Sequence, residues 1–135
     1  MNREEDGMTD VTRLITHADL DVGATGARQL SVSARLVAVL ADGRSLVLLD
    51  DRGWSSSGPA NIRAETSAED IDRTARMVVG PDEPFDGKTP AQMAADHWGS
   101  LADTLRRKGV DVDTQELERL PHDVQLSERL RAWLI

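Results

Sequence analysis

Two apolar runs on either side of Asp42-Gly43 constrain this chain more than any other feature: Leu36 to Leu40 before the pair and Leu46 to Leu49 after it. An Asp-Gly pair between apolar segments signals a β-hairpin, because glycine accepts the positive φ such turns need. The runs are apolar at consecutive positions, not only at alternate ones. Both faces of the hairpin are therefore expected to be covered near its middle. Arg28 to Val32 leads into the hairpin with alternating polarity. The expected sheet is antiparallel, with strands near 28–32, 34–41 and 44–50, the first two able to form one long bent strand.

The flanking segments supply lids. Val11 to Ile15 is a short apolar stretch, and Thr16 is suited to cap a turn or short helix through Leu20. Asn61 to Glu65, after Pro59, reads as a short edge strand. Ser67 is an N-cap for a helix with Ala68, Ile71, Ala75 and Val78 or Val79 on one stripe, ended by Gly80-Pro81. Thr89 with Pro90 at N1 and Gln92 at N3 forms a capping box for the longest helix, striped by Ala94, Trp98, Leu101 and Leu105. Asp113 or Thr114 is suited to cap a short helix carrying Leu117 and Leu120, and after Pro121 a last helix is expected from about Asp123 to Leu134. The fold class is α+β: a small antiparallel sheet on a central hairpin (about 33–50), packed against three or four C-terminal helices. An acidic disordered lead-in at 1–10 precedes a single domain at 11–135.

Composition removes several function classes. No cysteine occurs, so disulfides, thiolate nucleophiles and cysteine-based zinc sites are excluded. No segment has the apolar length of a signal peptide or membrane span, and the expected location is cytoplasmic. The net charge is −8; residues 1–64 carry 7 basic and 9 acidic groups, and residues 65–135 carry 9 and 15. The acidic second half repels nucleic acid and anionic lipid, so neither is an expected partner. Nucleic-acid binding requires most of Arg28, Arg35, Arg44, Arg52 and Arg63 on one exposed face.

The familiar motifs are incomplete. Gly87-Lys88-Thr89 lacks the first glycine of a phosphate loop, where Asp82 stands, and Asp82, Glu83 and Asp86 repel phosphate. Ser56 has Trp54 rather than glycine on one side of a hydrolase elbow. No His-x-x-x-His or calcium-loop spacing exists, so no metal and no cofactor is expected. Thr89, Pro90, Ala94 and Ala95 resemble the opening of one ankyrin repeat, with Gln92 where that family has histidine. The likeness spans under a quarter of the chain and has no second copy. A lone solenoid unit cannot bury its own face, so these residues are read as helix-start chemistry.

The favoured function is a non-catalytic protein-interaction or regulatory module, with another protein or a second copy as partner. Its contact residues are Trp54, read as ending a strand beside a Ser/Gly loop, and the acids Asp82, Glu83 and Asp86, which suit a basic surface. The alternative is a small enzyme at the end of the sheet, pairing His97 or His122 with Asp50 or Asp51.

Overall fold

The computed structural model describes residues 10–58 and 61–135. The expected lead-in lies outside them except for Asp10, as does Pro59. In chain order the described strands and α-helices are β1 (Val11–Leu20), β2 (Gln29–Leu40), β3 (Ser45–Ser57), α1 (Ile62–Glu65), α2 (Ala68–Val78), α3 (Pro90–Arg107), α4 (Thr114–Arg119), β4 (His122–Leu126) and α5 (Glu128–Leu134). The class is α+β, and the sheet order is β3-β2-β1-β4.

The hairpin forms as its sequence dictates. Gly43 has φ 91°. Its N–H donates to Leu40 O at 2.9 Å, and Leu40 N–H donates to Arg44 O at 2.8 Å. Asp42 locks the turn by accepting from Arg44 N–H at 2.9 Å and from Arg44 Nε at 2.7 Å. Strands 28–32 and 34–41 merge into the one continuous β2. β3 runs on to Ser57, so Ser55 to Ser57 are strand rather than loop, and Trp54 sits inside a strand rather than at its end.

Three further elements differ from expectation. β1 is a ten-residue strand, not a stretch followed by a capped turn. Asn61 to Glu65 holds the helical turn α1 instead of an edge strand. Residues 122–126 form β4, leaving only α5 of the expected last helix. β4 runs parallel to β1, since Leu14 N–H donates to Pro121 O at 2.8 Å and Ser127 N–H to Ala18 O at 2.9 Å. The sheet is therefore mixed rather than wholly antiparallel.

The chain divides into two compact units, the first containing residues 10–15, 37–48 and 80–123, the second 16–36, 49–79 and 124–135. In the first unit Leu14 and Ile15 are both buried, as are Val37 and Ala38. Neighbouring strand residues point to opposite faces, so both faces are covered there, as the consecutive apolar runs require. Thr89 caps α3 in a full capping box with Gln92, and Met93, Leu101, Ala102 and Leu105 are its buried residues. α4 packs against α3 and buries Leu117. Asp113 caps α4 by accepting from Gln115 N–H at 2.8 Å.

The second unit has its own core. Ala18, Leu20, Leu30 and Val32 from alternate positions of β1 and β2 meet Ile62, Ile71, Ala75 and Leu130 of α1, α2 and α5. Trp54, Val124, Leu126, Trp133 and Leu134 pack against it half-buried. Ser67 caps α2 in a capping box with Asp70. Strand alternation sends the intervening residues His17, Asp19, Ser33 and Arg35 to the opposite face.

Candidate functional site

On that face lies a concave site of about 560 Å³, lined from β1 by His17 and Asp19, from β2 by Ser33 and Arg35, and from β3 by Asp50. Gln125 of β4 and Ser127, Glu128 and Arg131 also line it, with Ala18, Ala34 and Leu126. The register explains the grouping. Asp21 N–H donates to Ser31 O at 2.9 Å, so residues 17–19 of β1 run alongside 33–35 of β2. Ser127 seats α5 beside β1: its N–H binds Ala18 O, and its hydroxyl accepts from Leu130 N–H at 3.2 Å. This brings Glu128 and Arg131 to the edge of the sheet face.

Electrostatics separate the groups into two kinds. Asp19 is committed: Arg129 donates through Nε to Oδ1 at 2.7 Å and through Nη2 to Oδ2 at 2.5 Å. The Arg129 guanidinium holds the Asp19 carboxyl well below the usual carboxylate range, with the Ser127 hydroxyl adding to the effect. His17 is half-buried, and its pKa is lowered by that burial and then by the positive charge of Arg35. Near neutral pH its imidazole is therefore uncharged, with one donor and one acceptor nitrogen. The side chains of Arg35, Asp50, Glu128 and Arg131 are exposed, and none forms a hydrogen bond or ion pair among the described residues. The site thus offers two guanidinium donors, two carboxylate acceptors and a neutral imidazole to whatever enters it.

Of the residues singled out in the sequence, Asp50 and Arg35 line this site, Arg35 having been named only for nucleic acid. Asp51 and Trp54 line an adjoining depression of about 400 Å³ with Asp21, Ser31 and Arg52. His97 and His122 lie in the first unit and do not line the concave site. The His97 ring meets Trp98 edge-on at 5.1 Å. Asp82, Glu83 and Asp86 are exposed on the loop between α2 and α3, also in the first unit. Beside them Lys88 bridges to Asp96 at 2.8 Å and lies 5.8 Å from the centre of the Phe85 ring. Of the arginines named for nucleic acid, Arg44 pairs with Asp42, Arg52 donates to Val78 O at 3.3 Å, and Arg63 donates to Ile135 O.

His17, Asp19, Glu128 and Arg131 were not singled out in the sequence, and Arg35 was named only for nucleic acid. In the fold Thr16 to Leu20 alternate buried and half-buried with the strand period of two, a pattern that the polar Thr16 masks in the sequence. Among the described residues no group of three His, Asp or Glu side chains is placed to hold a metal ion. None of their helices is long and apolar enough to cross a membrane. No family model, curated protein or solved structure matches the chain.

Proposed function

We propose that the protein is a non-catalytic interaction module acting in the cytoplasm, and that the concave face of its second unit is where a protein partner docks. The observation that carries this reading is the set of charged side chains, Arg35, Asp50, Glu128 and Arg131, around one cavity with no partner within the described residues. Charged groups of both signs around one cavity favour recognition by electrostatic complementarity, because opposite charges on a partner are attracted and like charges repelled. Trp54, next to this face and half-buried, can extend the contact area.

Affinity capture from native lysate, with light scattering to follow self-association, tests the reading. The wild type and an Arg44→Glu control are expected to hold one defined complex that the Arg35→Glu, Arg131→Glu double variant loses. Capture indifferent to the double variant, or a monomer that captures nothing, defeats the proposal.

One observation favours a second reading, a small enzyme. A neutral histidine shares the cavity with Asp50, so a general base is at hand. Substrate turnover that His17→Gln abolishes while partner capture persists would select it.

A further inference from the structure

The concave site carries both signs of charge and keeps them out of ion-pair range of one another. Arg35 and Asp50 are fixed on adjacent strands, and Glu128 and Arg131 on α5. A few residues away Asp19 and Arg129 do the opposite, closing a two-pronged ion pair at 2.7 and 2.5 Å. By contrast Arg35 and Asp50, on adjacent strands, form no ion pair among the described residues, and neither do Glu128 and Arg131. Burial and then the charge of Arg35 lower the His17 pKa, and the exposed Arg35 guanidinium is the group at that end of the cavity that an anion would meet.

A ligand of one sign is attracted by half of these groups and repelled by the rest. A ligand with both signs meets each group with its complement. The cavity, at about 560 Å³, lies within the range of sites that enclose small ligands or a few side chains.

We propose that the site takes a short peptide stretch bearing an acidic and a basic side chain close together, the acidic group against Arg35 and the basic group against Asp50. This rests on the module reading above and specifies its partner.

Heteronuclear NMR on the full chain tests it, with a capped peptide of alternating Lys and Glu as probe and all-Lys and all-Glu peptides of equal length as controls. The mixed peptide is expected to give saturable shifts at His17, Arg35 and Asp50. Arg35→Gln and Asp50→Asn are each expected to weaken it about tenfold. Equal binding of either single-sign peptide, or no shift at those amides with any peptide, overturns the inference. If the peptides fail while lysate capture still depends on Arg35 and Arg131, the module reading stands and this one falls. If capture is indifferent as well, both fall.

Discussion

Replacing Gly53 by alanine tests how closely β3 approaches β2. A Cβ at this position would lie 2.6 Å from Val32 O and 3.3 Å from Ser33 Cα, both backbone atoms that cannot swing aside. Ordinary contact begins near 3.4 Å. β3 must therefore retreat by roughly 0.8 Å, enough to stretch a neighbouring N–H···O bond past its useful length. Overpacking of this kind, with one ladder bond weakened, costs about 2 kcal/mol. In a domain of this size that lowers Tm by about 6–8 °C. Gly99→Ala is the matched control. Gly99 lies inside α3, nothing stands within 4 Å of its added Cβ, and the same chemical change there gains about 0.5–1 kcal/mol from helix propensity. Urea denaturation with a fitted slope reads both variants, and unchanged slopes tie the shifts to stability rather than to the unfolded state. A Gly53→Ala protein as stable as the wild type would refute the close-approach argument.

Two pH effects follow from the site. His17 is expected to titrate below its ordinary value, and Arg35→Gln to raise its midpoint toward 6.5; NMR of the imidazole protons reads both. The sign is set by the lowered folded pKa: the unfolded chain takes the proton more readily, so stability falls as pH drops through about 6.5, the unfolded value. For Asp19 the folded pKa is also lowered. Its stabilisation is complete above the unfolded carboxylate value of about 4 and fades as pH falls below it toward the folded pKa. The gap between wild-type and Asp19→Asn urea midpoints should therefore be present at pH 7 and shrink in strong acid; a gap independent of pH would contradict the assignment.

What the sequence disclosed was local. The turn at Asp42-Gly43 and the helix starts at Ser67, Thr89 and Asp113 each depend on residues within four positions of one another. β4 could not be read that way. Val124 and Leu126 suit a strand by alternation, and Leu126 with Leu130 and Trp133 equally suits a helix; pairing with β1 decides between them. β1 was obscured differently. Thr16 is a buried polar residue beside consecutive buried Leu14 and Ile15, so the alternation was broken in its middle. The candidate site inherits both difficulties. His17, Arg35, Asp50 and Arg131 lie on four different elements; Arg35 and Asp50 lay on segments correctly read as strand, but Arg35 was named only for nucleic acid.

The parallel pairing of β4 with β1 bears on the order in which the chain can assemble. β1, β2 and β3 follow one another along the chain and can zip together through short connections, but the bond from Leu14 to Pro121 closes a loop of about a hundred residues. Until that loop closes, β1 is an edge strand with Ala18 O and Leu14 N–H unsatisfied on its outer side. An intermediate holding the three-strand meander without β4 thus displays an open template for another chain, and the speed with which β4 arrives sets how long that hazard lasts.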